Sequence, residues 1–388
     1  MKKLYPNFTF EIVNFDTKGD KILNVALPKI GDKGLFTKEL EDALENNTID
    51  FVVHSLKDMP CQEMPKNLII CGIPQREDPR DALVMAKRWQ NKKFSLDDLD
   101  DNSVIGTSSL RRISQLKEKY PNFKFETIRG NLQTRFSKLD DEIEKKFDAI
   151  ILAAAGLKRL NYDDRITQFL PPEICMHAVS QGALGIECRK NDIELIKMIN
   201  KLNDEETLLK CIAERTFLAK LEGGCSAPVG VFSKIDQASI TLEGVVLDLD
   251  GSKRIQDKFE MRFDSLLDEC CPIISIMKNN LISDLETHNQ TNKNKNEFKR
   301  ALSKDENEPN PNEMKIKRSK LESIKDQNNE IKIECELKQY SFIVDLNIDE
   351  NKLIKAELCG LHLAERLKEK GADILINEIK NKVQKEGI

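Results

Sequence analysis

Four chemically active side chains, His54, Ser55, Lys57 and Asp58, arrive together between Phe51 and Pro60, directly behind the apolar residues Ile49, Phe51, Val52 and Val53. Such a run reads as a strand buried on both faces of a parallel or mixed sheet, and Pro60 forbids further ladder bonding. Ligands of open α/β sheets bind beyond the carboxyl ends of strands, so the cluster stands where a site belongs. Asp58 is the better candidate for proton work, because a carboxylate at a sheet edge can both hold a cation and exchange protons. His54 reads either as a general base or as a packed strand-end histidine, since His177, His288 and His362 offer no obvious triad.

A second constellation is cationic. Arg111, Arg112, Arg129 and Arg135 follow successive strand-like runs and fall close to helix starts, where unpaired amides and the positive dipole end already favour anions. Arginine grips carboxylate or phosphate bidentately, so several converging on one cleft imply a ligand with several such groups. Neither a G-x-x-x-x-G-K-[ST] nor a G-x-G-x-x-G stretch is present, which argues against a nucleotide. The third feature is Cys225, set between Gly223-Gly224 and Ser226-Ala227-Pro228 where little bulk shields its sulfur. No basic residue flanks it and Glu222 opposes thiolate formation, which suits a thiol modified once better than a nucleophile of repeated turnover. A small buried hydrophobe is the plainer alternative.

These groups need rigid elements to hold them. The sequence predicts a strand over Phe8 to Phe15, a helix after Thr37, the strand ending in HSLKD, and a short apolar run from Leu68 to Ile73. The polar, proline-broken stretch Arg76 to Asp81 reads as a crossing between domains. Strand, loop and helix then recur: Val104-Ile105-Gly106 before a helix capped by Thr107, Ser108 and Ser109, Phe123 to Ile128 before a helix, and Asp148 to Ala155 as a third strand. Gln181 to Glu187 looks like a loop returning the chain to the first domain. A helix with Ala213, Phe217 and Leu221 follows, then strands through Ile240 to Leu249, and a helix-then-strand pattern over Leu361 to Leu375 closes the chain. Between about 288 and 340 the Asn, Lys, Glu and Ser content predicts a disordered insert. The domains are expected at 1–75 with 177–200, at 76–176, and at 201–388.

Of 388 residues, 39% are hydrophobic and 33% charged, and the net charge is -5, which argues against nonspecific nucleic-acid binding. The ten cysteines contain no C-x-x-C pair and no Cys/His ligand spacing, which disfavours zinc and a disulfide scaffold. The most apolar run, Ala149 to Leu157, is too short to span a bilayer, so no membrane is expected and a reducing, cytoplasmic setting is.

HSLKDMP, REDPRDAL, IGTSSLRR, RGNLQTR, AAAGLKRL, QGALGIE and LEGGCSAPVG occur in this order, and with them the chain resembles the porphobilinogen deaminase (hydroxymethylbilane synthase) family. The resemblance implies an α/β fold of two domains like type II periplasmic binding proteins, plus a smaller C-terminal α+β domain. It implies a dipyrromethane cofactor on Cys225 through a thioether. Onto that primer four porphobilinogen molecules are added with loss of ammonia, and the linear tetrapyrrole is then hydrolysed off. By position Asp58 resembles the catalytic carboxylate that stabilises the pyrrole nitrogens and the azafulvenium intermediate. Lys33, Ser55, Lys57, Asp58, Thr107, Ser109, Arg111, Arg112, Arg129 and Asn131 resemble cofactor ligands, and Arg129, Arg135, Arg165, Gln181 and Gly182 substrate ligands. Porphobilinogen and the growing polypyrrole are the implied partners of a monomer.

Family members begin with a strand and helix carrying an Arg-Lys-Ser segment, whereas this sequence starts in MKKLYPNF. A missing first strand and helix would open a gap in the first domain's sheet and weaken ligand binding. Two alternatives to a working enzyme are therefore a truncated form of impaired activity and a noncatalytic polycarboxylate-binding protein using the same cleft.

Overall fold

A computed structural model of the chain describes residues 1–15, 37–221, 227–265, 322–325, 331–334 and 337–386. Lys33, Cys225 and the basic run Lys315 to Lys320 lie outside the described residues. The chain divides into a unit of Met1–Phe263 with Gln339–Ile388, and a second unit, Asp264–Lys338. In the second, β-strands Glu322–Lys325 and Ile331–Glu334 pair antiparallel, so part of the segment expected to be disordered carries a strand ladder.

The larger unit opens with turns through Met1–Phe15. Phe8 to Phe15 is no strand: Phe8, Ile12 and Val13 are exposed, and alternation without a ladder partner does not make a strand. Tyr5 ties this stretch down by donating its hydroxyl to the Met198 carbonyl at 3.1 Å. Helix α1 (Lys38–Glu45) follows with Thr37 at its N-cap position, but the Thr37 hydroxyl makes no capping bond.

β1 (Phe51–Ser55), β2 (Leu68–Gly72) and β8 (Leu184–Arg189) form one sheet in the order β1-β8-β2, both pairings antiparallel. β1 is not buried on both faces, as its apolar run suggests. Val52 and His54 point inward while Val53 is 53% exposed, and among the described residues β1 lies at the sheet's edge. The second sheet runs β5-β4-β6-β3-β7, from β3 (Asp81–Met85), β4 (Val104–Gly106), β5 (Lys124–Glu126), β6 (Ala149–Ala153) and β7 (Gln168–Leu170). β4 is parallel to β5 and β6, and β3 antiparallel to β6 and β7, giving the mixed α/β sheet expected.

Both faces of that sheet are covered, which explains the continuous apolar run of β3. Ala82 and Val84 join Ile150, Leu152, Phe136 and Leu139 on one face; Leu83 and Met85 join Ile105, Leu116, Phe123 and Ile151 on the other. Helices α2 (Leu110–Lys119), α3 (Leu132–Leu139) and α4 (Ala154–Arg159) each follow a strand end. Beyond β8 come α5 (Ile193–Asn200) and α6 (Glu205–Lys220), then an antiparallel meander of β9 (Val229–Ile235), β10 (Ser239–Leu247) and β11 (Arg254–Arg262).

The chain ends in two helices, α7 (Glu350–Glu369) and α8 (Ala372–Glu386), where a helix and a strand are expected. Gly371 turns the chain at φ +91, and Leu375, Ile376, Ile379 and Val383 bury one face at helical spacing. α7 comes close to α6: a Cβ on Gly360 would stand 2.2 Å from the Ala213 carbonyl.

Two segments link the first two sheets and touch where they pass. The Glu77 amide donates to Gly182 O at 3.2 Å, Arg159 Nη2 to the same oxygen at 2.6 Å, and Gln181 Nε2 to Pro79 O at 2.8 Å. Gly182 has φ +88, and a Cβ there would lie 2.4 Å from Glu77 O, so strain and clash act together. Gly182→Ala should lower unfolding free energy by more than ~1 kcal/mol in urea titrations; an unchanged midpoint would show that the crossing yields freely.

Candidate active site

Leu56, the first residue of the 3-10 turn Leu56–Asp58, and Met59, just after it, are both buried, so the two residues between them, Lys57 and Asp58, are left to project from the end of β1. The Leu56 amide donates to Ala183 O at 3.0 Å, tying this turn to the return crossing. Asp58 remains open to solvent, yet enough protein surrounds it that desolvation raises its carboxyl pKa against the lowering pull of Lys57 and His54. For Lys57 burial lowers the pKa, Asp58 opposes this, and Arg112 lowers it further. His54 is settled as a packed residue: its Nε2 lies 2.9 Å from Glu187 Oε2, with both side chains buried.

Sequence reasoning missed the residue around which the arginines are arranged. Asp81, fully buried at the start of β3, receives Arg111 Nη1 at 2.7 Å on one oxygen. On the other it receives Arg112 Nε at 2.9 Å and Nη2 at 2.7 Å, and Gln181 Nε2 at 2.9 Å. Burial would raise the Asp81 carboxyl, but Arg111 and Arg112 outweigh it and hold the group well below the usual carboxylate range. Carbonyls complete the cage, Met176 O for Arg111 at 2.7 Å and Ile151 O for Arg112 at 2.8 Å. The signal was a charged residue opening an apolar strand, DALVM, where burial without a partner would be prohibitive.

Two arginines sharing one carboxylate leave positive charge over, and the surroundings add to it. Arg135 is lowered in pKa by burial first and then by Arg112 and Arg129, which puts both guanidiniums within electrostatic reach of Arg135. Arg112 and Arg111 likewise act on Lys57. The α2 N-terminus offers amides beside them, because Ser109 occupies the N-cap position without a side-chain capping bond. Thr107 is buried, its Oγ1 accepting from the Ser109 amide at 3.3 Å. Cations that destabilise one another form a site for a polyanion, and this donor set fits the carboxylates of a dipyrromethane.

Several of the remaining expected ligands also carry structural bonds. Asn131 Oδ1 caps α3, accepting from Thr134 N and Oγ1 at 2.9 Å each. Arg165 forms a two-point pair with Asp140 at 3.0 and 3.1 Å and lies 4.6 Å over the Phe136 ring. Gln181 and Gly182 belong to the crossing, and Ser55 is exposed at the end of β1.

A second buried network backs the crossing. Arg76 grips Glu214 through two bonds of 2.7 and 3.0 Å, while Ser180 N and Ser233 Oγ donate to the same carboxylate at 2.7 and 2.6 Å. Burial acts to raise Glu214, but Arg76 and His177 bring it down to about 2, and His177 itself is lowered by burial to about 4.

Removing the shared counter-ion with Asp81→Asn should cost about 3 kcal/mol or more of stability, read by urea unfolding, because two buried guanidiniums lose their carboxylate. The pH dependence follows from His177. Its folded pKa of about 4 lies below its ordinary 6.5, so the unfolded chain takes up the proton first and stability is lost as pH falls through that window. The loss should be on the order of 3 kcal/mol in melts between about pH 7 and pH 4, and His177→Gln should flatten it. Glu214 adds a loss in the same direction only at lower pH, between its ordinary 4.5 and about 2.

Residues 1–197 match the family model described as porphobilinogen deaminase, dipyromethane cofactor binding domain, and 208–271 match that of the porphobilinogen deaminase C-terminal domain. The chain is 50% identical over 258 residues to the porphobilinogen deaminase of Synechococcus elongatus, covering 66% of this chain and 79% of that protein. It is 52% identical over 258 residues to that of Prochlorococcus marinus strain MIT 9215, with the same shares covered. To that of Gloeobacter violaceus it is 49% identical over 253 residues, covering 65% of this chain and 75% of that one. Among solved structures, an ancestral amino acid-binding protein aligns at 17% identity with a TM-score of 0.26, over 52% of this chain and 74% of its own. With the dipyrromethane-binding family matched across the sheets that carry Asp58 and the arginines, the chain belongs to the porphobilinogen deaminase family.

Proposed function

We propose that this chain is a working hydroxymethylbilane synthase whose reaction centres on Asp58, in the cleft formed by the β1 end and the arginines of the second sheet. The observation that carries the assignment is a solvent-open carboxylate with a raised pKa, set beside cations that repel one another. Cys225 is assigned as the attachment point of the cofactor, and the domains as 1–75 with 177–200, 76–176 and 201–388. Family resemblance supports these readings, as it supports a cytoplasmic monomer acting on porphobilinogen without nucleic acid or membrane. No helix among the described residues is long and apolar enough to cross a membrane.

When attached, the dipyrromethane supplies a pyrrole carbon as the point of chain growth. The protein's own residues do the rest. Lys57, Ser55, Arg111, Arg112, Arg129 and Arg135 bind acetate and propionate groups, with Thr107, Ser109 and Asn131 at the helix starts, and Lys33 adds a cation from the sequence. Arg165, Gln181 and Gly182 are assigned to the substrate side on the family resemblance. Porphobilinogen is itself a dicarboxylate, so each unit bound brings further carboxylates to these cations. Loss of ammonia leaves positive charge on a pyrrole. The Asp58 carboxylate stabilises that charge, and its raised pKa lets it hold a proton for the departing amine and take one back from the pyrrole.

Intact mass and turnover on one set of proteins test these assignments. The unmodified chain and Asp58→Asn should both carry the dipyrromethane adduct, and Cys225→Ser should not. Asp58→Asn should consume porphobilinogen on the order of 10²-fold more slowly or worse. Near-normal turnover by Asp58→Asn, or an adduct surviving in Cys225→Ser, would remove the role given to that residue.

A further inference from the structure

Arg215 is fully buried near the C-terminal end of α6, and its hydrogen-bond acceptors are main-chain carbonyls. Nη2 donates to Pro60 O at 2.6 Å, Nη1 to Met59 O at 3.4 Å and Nε to Ser341 O at 3.4 Å. A guanidinium is a costly way to fill a core position, since an apolar side chain of similar volume would avoid the desolvation penalty. Its fork of donors nevertheless suits this place. The Met59 and Pro60 carbonyls follow the turn Leu56–Asp58 and belong to no strand or helix, so no ladder supplies them donors; Arg215 does, with Cys61 Sγ a distant second partner at 4.0 Å from Met59 O.

The preceding residue in α6 is Glu214, which grips Arg76 and Ser180 of the crossing. Adjacent helical residues point about 100° apart, so one turn of α6 faces both structures. One side chain holds the crossing that Gln181 joins to Asp81 and the arginine pair; the next holds the main chain directly after Asp58. Gln62 adds a contact from the same loop, its Nε2 lying 3.4 Å from Ala219 O of α6.

We propose that Arg215 is a positioning residue for the reaction. By clamping Met59 and Pro60 it fixes the Asp58 carboxylate relative to the arginine cluster, from the helix whose sequence runs on into Glu222 to Ser226. The inference rests on the assignment of Asp58 as the reacting carboxylate. Arg215 touches no reacting atom and acts through the backbone of the turn alone.

Two variants and one exchange measurement test this. Arg215→Met keeps the volume without the donors, and Arg215→Lys keeps the charge without the fork. In both, intact mass should still show the cofactor. The kcat per cofactor-loaded protein should fall about tenfold or more while KM stays within about twofold, and Arg215→Lys should lie between Arg215→Met and the unmodified chain. The acid limb of the kcat–pH profile should move to lower pH, because a released turn carries Asp58 away from the surrounding protein that raises its pKa; a purely structural role would leave that limb in place. In the unmodified chain, the Leu56 and Met59 amides, which donate to Ala183 O and Leu56 O, should be protected from deuterium exchange, and Arg215→Met should speed their exchange. Turnover by loaded Arg215→Met equal to that of the unmodified chain, or exchange of the Leu56 and Met59 amides as fast as an open loop, would overturn the proposal. If the unmodified chain consumes no porphobilinogen, the reading of Asp58 fails, and the exchange measurement still decides whether the clamp exists.

Discussion

The Asp81 carboxylate is the interaction on which the rest of the site depends. It stands at the first residue of a strand buried on both faces, so it must be fully paired to exist there at all. The pairing draws in Arg111 and Arg112 from the start of α2 and Gln181 from the return crossing. One anion thus fixes the direction of two guanidiniums and ties the sheet that bears them to the segment leading back toward β1. Because it compensates only one of the two positive charges, it leaves a site attractive to carboxylates without letting the empty cluster push itself apart.

The opposite wall is built on another principle. Lys57 and Asp58 project because Leu56 and Met59 are buried beside them, and α6 secures that turn from behind through Arg215 while Glu214 secures the crossing. Buried charge is a poor source of net stability, and its recurrence here at Asp81, Glu214 and Arg215 points to geometry as what it supplies. Asp58 is the exception, a carboxylate with no close ion pair among the described residues and raised in pKa by its surroundings.

Much of this was legible from residue types and spacing. The apolar runs of β3, β4 and β6 are short, bounded and fully buried, and a continuous run has that meaning in a two-faced sheet. Arg111, Arg112 and Arg135 could be placed at helix starts because strand, loop and helix follow in order. What could not be read was pairing across sequence distance. Asp81 looks like one more charge in a polar crossing until Arg111 and Arg112 close on it, and Arg215 looks like a surface charge on a helix. Periodicity also failed where a partner decides the outcome: Phe8 to Phe15 alternates but has no described ladder, and the isoleucines of α8 suit a strand as well as a helix until Ile379 and Val383 are counted.

The most direct test is an experimental structure of the protein isolated with its dipyrromethane attached. The proposed site requires the acetate and propionate groups to lie within hydrogen-bond distance of Arg111, Arg112, Arg129 or Arg135, with a pyrrole N–H donating to Asp58. Carboxylates turned toward solvent, with the pyrroles away from Asp58, would contradict it.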